Sequence, residues 1–133
     1  MSSVVSTGTV YGGAVTDLRT KLRISEGRRV CLMRIPDRHV PLLGVIERVD
    51  GGADVVLLYS RSREQLDRDT PAAIAALTEG GVLWVCYPKL SAKTPSDLSR
   101  EVVREAMARH GRRAVSQVAI DDTWSALRFR PGS

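Results

Sequence analysis

Apolar positions in this chain fall into short continuous runs separated by amphipathic stretches, and one run organises the rest. Val82-Leu83-Trp84-Val85-Cys86-Tyr87 is opened by Gly80-Gly81 and closed by Pro88-Lys89, which are the length and flanks of a strand buried on both faces. Alternation places Val82, Trp84 and Cys86 on one face and Leu83, Val85 and Tyr87 on the other, so both faces need cover. Arg29 to Ile35 and Asp54 to Tyr59 are further strands, the second again apolar on both faces.

Helical patterns lie between these runs. Ser62 with Gln65 three residues on has the spacing of a capping box. Pro71 interrupts that helix, and Thr70-Pro71 recaps a second segment carrying Ile74 and Leu77, which Gly80 and Gly81 close. After a polar loop over Leu90 to Thr94, the helix with the clearest stripe carries Leu98, Val102, Val103, Ala106 and Met107, with Thr94 or Ser96 as cap and Gly111 as terminator. Ala114 to Ile120 and Trp124 to Arg130 read as a hairpin about Asp121-Asp122-Thr123. The signal over residues 38–52 is mixed: a helical turn or loop from His39 to Gly44, then a short edge strand from Val45 to Val49, then a turn at Asp50-Gly51-Gly52. Val15, Leu18 and Leu22 suggest a short helix capped by Thr16 or Asp17.

Alternation of strand and helix predicts an α/β fold: a three-layer, Rossmann-like, mostly parallel sheet of about five strands with an antiparallel C-terminal hairpin. Residues 1–13, rich in Ser, Thr and Gly, read as a flexible tail, and 14–131 as a single α/β domain. No apolar run approaches the roughly 18 residues of a membrane span, and the first residues lack the basic and hydrophobic regions of a signal peptide; the expected location is the cytoplasm.

Charge narrows the chemistry. The net charge of +5 is carried by 17 arginines and 3 lysines, which favours anionic partners. Parallel strands ending at Ile35, Tyr59, Tyr87 and Ile120 would gather Asp37, Arg38, His39, Ser60, Arg61, Lys89, Asp121 and Asp122 at one edge, where open α/β sheets place their ligands. The binding residues expected there are Lys89, Arg61, Arg128, Tyr87, Asp121 and Trp124. Arg128 either points into that crevice or holds a carboxylate such as Asp121. The leading expectation is a binding or regulatory module for an anionic small molecule or an acidic protein partner. The alternative is an enzyme using Lys89, Asp121 and Asp122 for acid–base work. A third reading, nucleic-acid binding, would use Arg100, Arg104, Arg109, Arg112 and Arg113.

Several classes lose support. Cys31 and Cys86 sit in apolar runs as reduced core residues, and His39 and His110 stand alone, so no metal site is expected. The turn Ile35-Pro36-Asp37-Arg38-His39 has no glycine where a dinucleotide fold places Gly-x-Gly-x-x-Gly, and a P-loop is absent; no NAD, FAD or ATP cofactor is expected in the usual mode. Neither Ser91 nor Ser125 carries a nucleophile motif. An edge strand over Val45 to Val49 and the exposed hairpin offer two routes to an oligomer, which the sequence does not rank.

The segments Gly81 to Lys89 and Val118 to Arg130, with Asp54 to Tyr59 and Asp97-Leu98-Ser99-Arg100, resemble a family of small bacterial proteins known only as a domain of unknown function, and the resemblance runs from about Leu22 to Pro131. It implies a compact α/β protein of the bacterial cytoplasm and transfers no activity. The element order is also similar to the second half of a class I methyltransferase sheet. This chain departs from that pattern by lacking the glycine-rich first loop that holds S-adenosylmethionine and by being short for seven strands, and likeness of fold does not license activity.

Overall fold

The computed structural model describes residues 18–89 and 96–132. The expected tail over 1–13, Val15 and the caps at Thr16 or Asp17, the loop from Leu90, and Thr94 lie outside them. In chain order the elements are β1 (Arg29–Met33), a 3₁₀ helix (Asp37–Leu43), β2 (Glu47–Arg48), β3 (Ala53–Tyr59), α1 (Arg63–Ala76), β4 (Leu77–Pro88), α2 (Arg100–Ala108), β5 (Arg112–Ala119) and β6 (Trp124–Pro131). A helical turn over 18–21 precedes β1.

Six strands form one sheet in the order β2-β1-β3-β4-β6-β5. It is parallel except for β6, which runs against both of its neighbours. The strand beyond the expected five is the two-residue edge strand β2, which falls within the predicted 45–49.

The double burial of β4 sets the layers. Leu83, Val85 and Tyr87 pack with Leu66, Ala73, Val103, Ala106 and Met107 of the two helices. Trp84 and Cys86 face the other way, against Leu22, Ile24 and Leu43 from the 18–24 segment and the 3₁₀ helix. The Trp84 indole N–H, buried with its ring, donates to Leu22 O at 2.9 Å, a bond spanning 62 positions. This satisfies the one polar group of the largest core side chain.

Three local expectations are corrected. Pro71 does not divide α1, which runs unbroken from Arg63 to Ala76. An interior proline costs about 3 kcal/mol, but Leu66, Thr70, Ala73 and Ala76 on both sides of it are buried on the same sheet face, and the Thr70 hydroxyl donates to Leu66 O at 2.6 Å. Shared burial holds one axis through the defect. Gly80 and Gly81 do not close that helix; they lie inside β4, where register jumps from Ala53↔Leu77 to Val55↔Val82. They form a bulge, the usual place for strand glycines. The cap of α2 is Ser99, whose Oγ accepts from Val102 N at 3.2 Å, while Ser96 instead donates to Arg61 O at 2.8 Å and accepts from Leu98 N at 3.1 Å.

Candidate functional site

The strand order reverses between β1 and β3, and their carboxyl ends frame the edge where such sheets bind ligands. The chain leaving β1 passes Arg34, held at a positive φ of 59° and paired with the largely buried Asp69 of α1, then winds into the 3₁₀ helix that carries Arg38 and His39. Leaving β3, Ser62 caps α1 by accepting from Gln65 N at 3.1 Å, and the Gln65 side chain reaches back to the Arg61 N–H at 2.8 Å. With Ser96 on its carbonyl, Arg61 has both backbone polar groups fixed by side chains.

Arg61 lies over the Trp124 ring, its guanidinium carbon 5.0 Å from the centroid. Pro36, Asp37, Arg38, Arg61 and Trp124 line a crevice of about 380 Å³. Beneath Trp124, the rings of His39 and Tyr59 pack against it edge-on or tilted at centroid distances of 6.0 and 5.1 Å.

These rings belong to a buried polar chain. His39 Nδ1 is 2.9 Å from Tyr59 Oη, and His39 Nε2 is 2.7 Å from Asp121 Oδ2. An ionised carboxylate carries no proton, so Nε2–H donates to Asp121, which leaves Nδ1 to accept from the Tyr59 hydroxyl. Burial first, then the charges of Cys86 and Asp121, push the Tyr59 hydroxyl above its usual range, while Arg38 opposes them. Burial also raises the Cys86 thiol, and its hydrogen bond with Tyr59 opposes this. Burial pushes the Asp121 carboxyl up as well, but hydrogen bonds from His39 and from the Trp124 and Thr123 N–H groups outweigh it and hold Asp121 below the usual carboxylate range. Those N–H groups donate to Oδ1 at 2.7 and 2.8 Å, and Arg38 stands 3.7 Å from Oδ2.

The structure therefore brings Arg61, Trp124 and Asp121 together and separates the other expected residues. Lys89 donates its N–H to Thr123 O, but it and Tyr87 line a different cleft, with Ser99, Arg100 and Gln117 on the α2 side. Asp122 is exposed and is no partner in the Asp121 network. Arg128 neither enters the crevice nor holds Asp121: it pairs across from Trp84 in mid-sheet, donates Nε–H to Ser116 Oγ at 3.1 Å, and lines a cleft at the opposite edge. The Ser60 hydroxyl is buried without a hydrogen-bond partner among the described residues. Sequence reasoning placed His39 and Arg38 at this edge without a role and missed Tyr59. The only signal was that all three fall at or just beyond strand ends.

A mostly parallel sheet with one reversed strand next to last, and a site at its switch point, is the architecture of the Rossmann-like methyltransferases. Solved structures bear out that likeness of fold. The chain superimposes on a ribosomal protein L11 methylase from Lactobacillus delbrueckii subsp. bulgaricus with a TM-score of 0.55 at 14% identity, covering 90% of this chain and 78% of that one. For an S-adenosylmethionine-dependent methyltransferase from Clostridium acetobutylicum the TM-score is 0.57 at 6% identity, covering 95% and 94%. For Trm5b from Pyrococcus abyssi it is 0.52 at 16%, covering 91% of this chain and 49% of that one. No curated protein matches the chain in sequence. The family model described as protein of unknown function (DUF3052) matches residues 44–132, and the chain belongs to that family.

The residues at the switch point do not fit S-adenosylmethionine. The turn after β1 is a 3₁₀ helix begun by Asp37 rather than a glycine loop open to a nucleoside, and the rings of His39, Tyr59 and Trp124 pack against one another beside it.

Proposed function

We propose that the chain is a small ligand-binding module that takes an anionic small molecule in the crevice between Arg38, Arg61 and Trp124. The observation that carries this reading is the Arg61 guanidinium, held over an indole face with no carboxylate in ion-pair distance among the described residues. A guanidinium stacked on a ring keeps its N–H fork available for a carboxylate or phosphate. Its backbone is fixed at both ends, so little ordering is left for binding to supply. Arg38, whose side chain is 60% exposed, offers a second cation at the same rim.

Acid–base chemistry by Lys89 with Asp121 and Asp122 draws less support, because Lys89 lines another cleft and both Asp121 oxygens are engaged. The nucleic-acid reading is weakened because Arg100 and Arg104 are engaged by Glu101 on the α2 surface.

Native mass spectrometry of protein purified without high salt tests the proposal. The expected result is an added small-molecule mass on the wild type that is absent from Arg61→Ala and present on Lys89→Ala. A bare wild-type mass, or a ligand lost equally from both variants, overturns it, and co-purification of an acidic protein in place of a small molecule would assign the crevice to a partner.

A further inference from the structure

We propose that the cleft at the amino-terminal edge of the parallel strands, opposite the crevice above, binds a small organic polyphosphate. This cleft, of about 600 Å³, lies within the size range of small-molecule sites, and five arginines line it: Arg23, Arg28, Arg112, Arg128 and Arg130. Glu79 is the single acid among the lining residues. None of the five has a carboxylate in ion-pair distance among the described residues, whereas several arginines elsewhere do, as Arg29 does with Asp54 and Arg63 with Asp67.

Such a set is electrostatically unfavourable without an anion. Arg128, half-buried between the strands, shows it most clearly. Burial depresses its pKa, and the charges of Arg23 and Arg130 depress it further; among the described residues its side chain donates to a neutral hydroxyl. Arg28 donates to Arg23 O, again a neutral acceptor. Arg23 reaches the cleft from a left-handed backbone position with φ 65°, where a side chain is disfavoured and glycine is not. One phosphate occupies one or two guanidinium forks, so a cleft lined by five arginines matches a chain of phosphates better than a single one.

The cleft has a second character. Ile74, Leu77, Phe129 and Pro131 line it together with the arginines, as do Gly80 and Gly81 of the β4 bulge. Cations and hydrocarbon in one cleft suit a ligand with a polyphosphate tail and a flat or apolar head, as in a nucleoside polyphosphate. A cleft of this size, rather than a basic helix face, favours a small ligand over a nucleic-acid strand.

Isothermal titration calorimetry of the full chain with ATP, inorganic tripolyphosphate and orthophosphate tests this. ATP should bind tightest, tripolyphosphate more weakly and orthophosphate weakest, with steps of roughly tenfold. Arg128→Gln should lose about tenfold or more for ATP. The double variant Arg23→Gln/Arg130→Gln, at two exposed positions where folding is not at risk, should do the same. Arg61→Ala should bind ATP like the wild type, which separates this site from the proposed function. Absence of ATP binding overturns the proposal, as does an Arg104→Gln control that loses as much as Arg128→Gln, because net charge alone would then explain the affinity. Tripolyphosphate binding as tightly as ATP overturns the organic part of the assignment.

Discussion

The imidazole of His39 bridges Tyr59 and Asp121, with Nε2 2.7 Å from Asp121 Oδ2 across 82 positions of sequence. That bond ties the hairpin turn between β5 and β6 to the 3₁₀ helix after β1, the two ends of the switch-point crevice. The ring is 2% exposed and both of its nitrogens are engaged. His39→Ala removes a buried ring and takes the acceptor from the Tyr59 hydroxyl and the hydrogen bond from Asp121 Oδ2 at once. It should cost about 2 to 4 kcal/mol in urea unfolding. Tyr59→Phe, which leaves His39 Nδ1 without a donor and removes the hydrogen bond between the hydroxyl and the Cys86 thiol, should cost about 1 to 3 kcal/mol. Equal and negligible losses would show that the bridge holds nothing in place.

Asp121 also predicts a pH dependence. Its folded pKa lies below the ordinary carboxylate value of 3.8 because hydrogen bonds to the ionised form outweigh burial. A depressed carboxylate contributes stability that is present above the unfolded pKa and is lost as pH falls through the folded one. The wild type should therefore exceed Asp121→Asn in stability at neutral pH, and the gap should narrow as pH drops below about 4. Asp54, lowered by the backbone N–H and guanidinium of Arg29, falls in the same range but is common to both proteins, so the difference isolates Asp121. A gap constant from pH 6 to 3 would remove the charge argument.

Burial on both faces of Val82–Tyr87 was readable because a continuous apolar run has one structural outcome, and the architecture followed from its spacing against Arg29–Ile35 and Asp54–Tyr59. The hairpin about Asp121-Asp122-Thr123 was readable from its turn residues, and alternation along its second strand puts Trp124, Ala126 and Arg128 on one face. What could not be read was where along the sheet each residue falls. Arg128 shares a face with Trp124 but lies four residues along the strand, about 13 Å at 3.3 Å per residue, which moves it from one edge toward the other. Pairing in three dimensions was equally hidden. Nothing near His39 in the chain announces Tyr59 or Asp121, and Arg61 gains its meaning from Trp124, 63 positions on. Pro71 misled because a local rule was applied where burial on both sides prevails.

The two bulge glycines should respond differently to alanine. At Gly81 a Cβ would sit 2.9 Å from Leu77 Cδ2, 3.0 Å from Thr78 O and 3.2 Å from Ala53 O. Two of these neighbours are backbone and cannot swing away. Gly81→Ala should cost about 1 to 3 kcal/mol through overpacking. At Gly80 nothing lies within 4 Å, but φ is +78°, so Gly80→Ala should cost about 1 to 2 kcal/mol through backbone strain alone. Chemical denaturation gives both numbers, and a Gly80 replacement by Asn, which tolerates the left-handed region, should recover part of its loss. Recovery by Asn at Gly81 would contradict the packing account.

The two cysteines give a readout of how the sheet opens. Both are free thiols, and the thiolate is the reactive species. Cys86 is fully buried near the carboxyl end of β4, and burial raises its pKa against the opposing Tyr59 hydrogen bond. Cys31 is raised by burial and by the Asp50 charge, with Arg48 opposing, but it is 6% exposed and lies in β1 just past the two positions, Arg29 and Val30, that pair with the short edge strand β2. Labelling with a disulfide reagent at pH 8 should therefore show two slow phases, both well below a free thiol. Cys31 should react first, through local loss of the β2 edge, and Cys86 only through opening of the central strand. In Cys31→Ser the faster phase should vanish and the slower one persist at a rate that rises with urea as global unfolding does. Immediate labelling of Cys86 in the native protein would overturn the placement of β4 at the centre of the molecule.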